Sequence, residues 1–169
     1  MKDPTVVARK VAVLGARAVG KSCFVASFVT GTFNDGYDPT IESTHHKVIR
    51  FRQVHFVTDI VDTAGMVRVC CQCCVFVVLD RVLNSPMFVS QDDYSRLSRN
   101  ASLGVDGYIL VFSIVSRQSF EKIRQINTLL LNTLGDVPYV PRVLVGTMKD
   151  LAEQRQVNQA VSFAFAAAI

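Results

Sequence analysis

The residues with the clearest chemical meaning form one short stretch, which runs from Gly15 to Ser22 and reads GARAVGKS. It follows the apolar run Val11–Leu14 and precedes a helix-compatible run, Ser22–Val29. Glycines let successive backbone N–H groups point at one anion, and a following helix adds its positive N-terminal end. Lys21 supplies a cation, and the Ser22 hydroxyl can join the shell of a Mg²⁺ ion. This stretch predicts a phosphate-binding loop, because a strand and a helix flank it and a chance glycine-rich turn would lack them.

Composition places the chain among globular proteins. It has 169 residues, of which 50% are hydrophobic and 19% are charged, so we expect one domain with a real core. The formal net charge of +4 suits a nucleotide or an acidic surface but is too small for a basic nucleic-acid-binding arm. We expect no signal sequence and no spanning helix, since the apolar runs are short and interrupted by charges.

The cysteines argue against a secreted protein. There are five of them, an odd number, and four crowd between Cys70 and Cys74. A secreted disulfide framework would spread its cysteines along the chain. We therefore expect a reduced, cytoplasmic protein.

Strands and helices are predicted to alternate around the phosphate-binding loop. Strands are predicted at 10–15, 45–51, 55–61, 106–114 and 142–146, and helices at 20–30, after Ser116, and at 157–169. This order favours an α/β fold with a mostly parallel sheet and right-handed crossovers. Ligands of such sheets bind beyond the carboxyl ends of the strands, and Gly15, Asp62 and Asp150 all fall at such ends. We expect these three motifs to meet at one rim.

Residues 66–90 do not fit this pattern. They contain the cysteine cluster and an apolar run, 75–79, with neither helical nor alternating periodicity. Two interpretations stay open: an insertion into an intact motif, such as translated intron sequence or a gene-model error, and a functional insert. In the second case the cysteines would bind metal or be acylated. Metal binding is disfavoured because no second Cys/His half completes a zinc pattern.

With these motifs in hand, the chain resembles the Ras-like small GTPases, and within them the Rheb type. The phosphate loop matches, residues 36–42 (GYDPTIE) resemble the family's first switch, and residues 62–65 (DTAG) resemble its Mg²⁺ and γ-phosphate motif. Arg17, where Ras itself has glycine, is a Rheb-like trait. The resemblance runs from about residue 11 to residue 151 and is interrupted only at 66–90. It implies a single P-loop NTPase G domain with helices flanking the central sheet.

The resemblance also implies a function: a signalling switch that binds GTP or GDP with Mg²⁺ and hydrolyses GTP slowly. Catalytic roles would fall to Lys21 and Gln91, and Mg²⁺ would be held by Ser22, Thr40 and Asp62. Residues 37–42 would face effector and regulator proteins. The nucleotide-binding set implied by the family comprises Gly15, Arg17, Ala18, Val19, Gly20, Lys21, Ser22, Cys23, Phe33, Tyr37, Thr40, Gly65, Thr147 and Asp150.

The chain departs from the family at the position that follows Gly65. The family usually has a glutamine there, which orients the attacking water. This chain has Met66, whose thioether cannot do so, and we therefore expect impaired hydrolysis. If residues 66–90 are skipped, Gln91 follows Gly65 directly and the family's sequence continues.

The base-recognition motif departs as well. Where the family has Asn-Lys-x-Asp, this chain reads TMKD from Thr147 to Asp150. The Asp150 carboxylate can accept hydrogen bonds from the N1–H and exocyclic amine of guanine, a pairing that adenine cannot offer. We expect the Thr147 hydroxyl to replace part of the asparagine's role, whereas Met148 loses the lysine whose stem packs over the base.

Beyond residues 164–169 the family would continue into a last strand, a last helix and a C-terminal prenylation box. We therefore expect an incomplete G domain, exposed core surface near 142–146 and marginal stability. The family associates with membranes through a lipid, for which this sequence shows no motif. The alternative function is a non-catalytic remnant that binds partners through residues 37–42. It would show no saturable preference for guanine nucleotides.

Overall fold

The computed structural model describes residues 5–32, 42–63, 65, 104–134 and 140–169. Their elements are β1 (Thr5–Gly15), α1 (Lys21–Thr30), β2 (Glu42–Phe51), β3 (Val54–Thr63), β4 (Gly107–Ser113), α2 (Arg117–Leu134), β5 (Arg142–Thr147), a 3-10 segment (Lys149–Gln154) and α3 (Gln159–Ala168). Every predicted strand and helix is present, with its ends moved by a few residues. The predicted α/β class is confirmed.

The five strands form one sheet in the order β2-β3-β1-β4-β5. Neighbours pair in parallel except for β2 and β3, which form an antiparallel hairpin. The hairpin turns at Arg52, whose φ of 54° is left-handed. Val13 pairs with Asp62, and Ser113 pairs with Thr147. The carboxyl ends of β1, β3, β4 and β5 therefore lie side by side, and we call this edge the C-terminal rim.

The core lies on both faces of the sheet, because successive strand residues point to opposite sides. On one face Leu14 and Leu110 pack with α2. The predicted apolar stripe of α2 is confirmed, since Phe120, Ile123, Ile126 and Leu130 are all buried. On the other face Val13, Val25 and Val111 form a second cluster beneath α1, together with Val19 and Ile60.

β5 lies at one edge of the described sheet, and its surface is less covered than that of β1 or β4. Val143 is 56% exposed. α3 lies near this edge: Phe165 packs edge-on against Phe120 with ring centroids 5.6 Å apart. Arg142 donates to the Ile169 carbonyl at 2.9 Å. These contacts fix α3 beside the base of β5.

Candidate functional site

The phosphate-binding loop joins the end of β1 to the start of α1 at the C-terminal rim. Gly15 lies so close to β4 that a Cβ there would stand 2.2 Å from the Val111 carbonyl oxygen. Ala18 and Gly20 adopt left-handed φ angles of 59° and 84°. The loop therefore folds back sharply over the end of β1, as the sequence predicts for a backbone that surrounds an anion.

Lys21, the first residue of α1, is buried against this loop. Its side chain is only 5% exposed, and Nζ donates to the Ala16 carbonyl at 2.9 Å. Burial lowers the pKa of Lys21 to about 8, and the negative charge of Asp62 partly opposes this shift. A desolvated ammonium group held inside a loop has little counter-charge from solvent, so an anion in the loop would stabilise it.

Asp62 supplies the opposite charge from β3. It is 1% exposed, and its Oδ1 has no hydrogen-bond partner within the described ranges. Next to it, the Thr63 hydroxyl donates to the Val13 carbonyl at 2.7 Å and holds the end of β3 against β1. A buried carboxylate oxygen without a partner is costly, and a cation would relieve that cost. The donor chemistry of Asp62 therefore fits Mg²⁺, which prefers oxygen ligands.

The first turn of α1 provides further groups for a phosphate and its metal. Ser22 and Cys23 directly follow Lys21, and the Phe24 N–H makes a helical bond to the Gly20 carbonyl at 2.9 Å. The N–H groups of residues 21–23 thus lie ahead of the helical ladder, at its positive end. The Ser22 hydroxyl is the second oxygen donor in this region that suits Mg²⁺. The Cys23 thiol is not in a disulfide and is partly buried.

Gly65 lies directly against the phosphate-binding loop. A Cβ at this position would stand 2.2 Å from the Arg17 Cα and 2.8 Å from the Ala16 carbonyl carbon. Only glycine fits such an approach. The structure therefore brings Gly65 and the phosphate-binding loop together, as the sequence predicts.

The base-recognition motif lies at the end of β5, on the other side of the loop. Thr147 is partly buried, and its hydroxyl contacts the carbonyls of Val19 and Phe112. Met148 has a left-handed φ of 60°, and its sulfur accepts from the Ser113 hydroxyl at 3.0 Å. Asp150 is exposed at the start of the 3-10 segment. All three lie at the C-terminal rim.

Four predicted site residues lie outside the described residues, namely Phe33, Tyr37, Thr40 and Gln91. Met66 also lies there. Their proposed roles stay predictions. The described members of the predicted set meet at the C-terminal rim: Gly15, Arg17, Ala18, Val19, Gly20, Lys21, Ser22, Cys23, Asp62, Gly65, Thr147 and Asp150.

Sequence reasoning missed Ser113. It ends β4 at the rim, its hydroxyl donates to the Met148 sulfur, and its backbone N–H donates to the Ser119 hydroxyl oxygen at 3.0 Å. A polar residue that closes an otherwise apolar strand was the available signal, since rim positions of parallel sheets contact ligands.

Two further observations concern metals and membranes. In the described part of the chain, no group of three or more His, Cys, Asp or Glu side chains could hold a metal ion by itself. Across those same ranges, none of the helices combines the length and apolarity needed to cross a bilayer.

Comparisons with known proteins agree with this geometry. The sequence profile of the Ras family matches residues 10–70 and 89–169. The GTP-binding protein Rheb of Homo sapiens is 38% identical over 155 residues, which cover 92% of this chain and 70% of that protein. The small monomeric GTPase RhbA of Aspergillus fumigatus is 40% identical over 151 residues, covering 89% and 67%. The GTP-binding protein Rheb homolog of Dictyostelium discoideum is 38% identical over 151 residues, covering 89% and 68%.

Proposed function

This chain belongs to the Ras family of small GTPases and is Rheb-like within it, and we propose that it acts as a guanine-nucleotide switch in signalling. It binds GTP or GDP together with Mg²⁺ and hydrolyses GTP to GDP and phosphate. The observation that carries this function is the buried pair of unlike charges at the rim. Asp62 offsets the desolvation of Lys21 only in part, and its own Oδ1 has no hydrogen-bond partner within the described residues. A Mg²⁺–nucleotide complex would supply phosphate charge to Lys21 and a cation to Asp62.

The chain's own residues perform most of the binding chemistry. The loop from Gly15 to Gly20 surrounds the phosphates with backbone N–H groups, and Lys21 neutralises part of their charge. Ser22 and Asp62 would hold Mg²⁺, with Thr40 as a third ligand. When bound, Mg²⁺ neutralises charge on the β- and γ-phosphates. No protein nucleophile is required, because water attacks the γ-phosphate in line.

We further propose that Gly65 reports the presence of the γ-phosphate. Its close approach to Ala16 and Arg17 supports this role, because it brings the Gly65 backbone against the loop that would hold the phosphates. Loss of that phosphate would remove the contacts of Gly65 and Thr40 together, and both switch segments would be released. Effectors and regulators would read this change through residues 37–42.

The binding test uses fluorescent GDP, GTP and ATP analogues with and without Mg²⁺. We expect saturable binding of both guanine nucleotides, weaker binding of ATP, and a clear gain with Mg²⁺. Asp62→Asn should abolish the gain from Mg²⁺. Asp59→Asn is the matched control, because Asp59 lies on the same strand but its side chain is 47% exposed and pairs with His46 at 2.7 Å. Equal binding of ATP and GTP would contradict the proposal.

We propose that residues 66–90 are an insertion within the second switch of a single G domain, and that they impair hydrolysis by displacing Gln91. The family profile supports this, since it leaves residues 71–88 unmatched. A variant that joins Gly65 directly to Gln91 should hydrolyse GTP about tenfold faster than the unmodified chain. The same deletion carrying Gln91→Leu should lose that gain. Unchanged hydrolysis in both variants would show that Gln91 does not orient the water.

We also propose that the switch works in the cytoplasm. The odd number of cysteines and their crowding between Cys70 and Cys74 support a reducing compartment. Fractionation of cells that express a tagged chain tests this. Recovery from a secreted fraction would contradict it.

A further inference from the structure

The Thr147 hydroxyl connects the two sides of the site through the protein alone. Its Oγ1 lies 2.6 Å from the Val19 carbonyl oxygen and 3.0 Å from the Phe112 carbonyl oxygen. Carbonyl oxygens only accept hydrogen bonds, so the hydroxyl is the donor in both contacts. A threonine hydroxyl carries a single proton. Both carbonyl oxygens therefore share this proton, and no proton remains for a hydrogen bond to a third acceptor.

We infer that Thr147 is a positioning residue that ties the phosphate-binding loop to β4 and β5, and that it does not donate a hydrogen bond to the bound purine. This inference rests on the proposed function. The outer edge of guanine offers two acceptors, N7 and O6, and only a donor can recognise them. The lone pairs of Oγ1 cannot bond to another acceptor. Thr147 therefore cannot read this edge while it holds Val19.

The hydrogen bond from Thr147 to the Val19 carbonyl, which we call the tether, affects phosphate binding through one peptide group. Val19 is 3% exposed, and its carbonyl belongs to the peptide that also carries the Gly20 N–H. A trans peptide is planar, so holding the carbonyl fixes the N–H in the opposite direction, away from Thr147. The methyl and Cβ of Thr147 also lie 3.9 Å from where a Cβ on Gly20 would stand. Thr147 thus orients the part of the loop that leads into Lys21.

Recognition of the base then depends on the other edge of the purine. Asp150 is exposed at the rim, and its carboxylate can accept from N1–H and the exocyclic amine of guanine. Met148 is not available in the same way, because its sulfur is engaged by Ser113. Guanine is therefore distinguished from adenine by Asp150, whereas Thr147 affects all nucleotides equally.

The test is competition between a fluorescent GDP and two unlabelled ligands, GDP and 7-deaza-GDP, whose base lacks the N7 acceptor. Thr147→Val removes the hydroxyl and keeps the shape. We expect it to weaken both ligands by the same factor, about tenfold, so that their affinity ratio does not change. Thr147→Ser keeps a hydroxyl and should restore both affinities. Thr147→Asn adds amide donors and should favour GDP over 7-deaza-GDP by roughly fivefold.

Two results would overturn the inference. Weaker GDP binding by Thr147→Val, with 7-deaza-GDP unaffected, would show that Thr147 reads N7. Unchanged affinity for both ligands would show that the tether does not shape the loop. Thermal melts check that each variant folds, and Thr147→Ser and Thr147→Asn decide the question if Thr147→Val does not. The proposed function fails separately: unmodified protein with no saturable GDP binding would overturn it, and this inference with it.

Discussion

The two sides of the C-terminal rim bind their parts of a nucleotide by different means. On the phosphate side, the donors are backbone N–H groups, and the side chains that matter most are Lys21 and Asp62. On the base side, recognition depends on the side chain of Asp150, while the Thr147 side chain holds the phosphate-binding loop in place. The backbone tolerates exchanges such as Arg17 and Ala18 within the loop, because every residue except proline offers an N–H. The base side has no such tolerance at Asp150, because there the side chain itself is the group that recognises the base.

The largest loss of nucleotide binding on the phosphate side is expected from a change at Lys21. Lys21→Met keeps most of the unbranched side chain and removes its charge, so GDP affinity should fall about a hundredfold while adenine and guanine nucleotides weaken alike. Equilibrium titration with fluorescent GDP measures the loss. The matched control is Arg50→Met, which removes an exposed cation from the hairpin end of β2, far from the rim. If the two variants bind GDP equally well, Lys21 does not hold the phosphates.

The base side is tested at Asp150. Asp150→Asn removes the charged acceptor, so GDP affinity should fall about twentyfold while ADP affinity stays constant. The loss of discrimination, rather than of binding, separates this variant from Lys21→Met. Glu153→Gln is the control, since Glu153 is exposed on the same 3-10 segment. A parallel loss of ADP binding in Asp150→Asn would assign Asp150 to loop structure instead.

The phosphate side was the more predictable of the two from sequence. The motif from Gly15 to Ser22 needs a strand before it and a helix after it, and β1 and α1 stand there as expected. The buried apolar face of α2 was equally predictable, because large apolar residues at helical spacing indicate a helix with one buried face. What could not be predicted was geometry between distant segments. The burial of Lys21 against Ala16 depends on packing that no local pattern contains.

On the base side, contacts between distant segments were even less predictable from sequence. Sequence placed Thr147 at the rim and assigned its hydroxyl part of an asparagine's role, but it could not show which atoms that hydroxyl meets. Its partners, Val19 and Phe112, are 128 and 35 residues away in sequence. Both contacts use backbone carbonyls, which carry no sequence signal. Ser113 was missed for a related reason, since its partner Met148 comes from another strand end.

The charge on Lys21 makes the phosphate side sensitive to pH. Burial lowers its pKa to about 8, below its ordinary value of 10.5, so between these values the unfolded chain binds more protons than the folded chain. Stability of the nucleotide-free protein should therefore rise with pH, by about 1 kcal/mol from pH 8 to 9. Well below pH 8 Lys21 stays charged in the folded protein, so the free-energy cost of burying its charge no longer changes with pH. Urea denaturation across this range measures the change.

Three comparisons isolate the contribution of Lys21 to this pH dependence. Lys21→Met should lose the rise, because it has no proton to release. Bound nucleotide should also suppress it, since phosphate charge raises the pKa of Lys21 and binding above pH 8 then takes up protons. Asp150→Asn, on the base side, should keep the rise. An identical pH profile in Lys21→Met and the unmodified protein would assign the effect to another group.

The smallest effect is expected from Ala18, which holds a left-handed φ of 59° without being glycine. Ala18→Gly should relieve this strain, but glycine gains entropy in the unfolded chain, so the net stabilisation should be about 0.5 kcal/mol. Ala26→Gly, inside α1, is the matched control and should destabilise by about 1 kcal/mol. Denaturation midpoints of the two variants should therefore move in opposite directions. If both fall, the loop does not strain Ala18, and the phosphate side tolerates exchanges for reasons other than its backbone geometry.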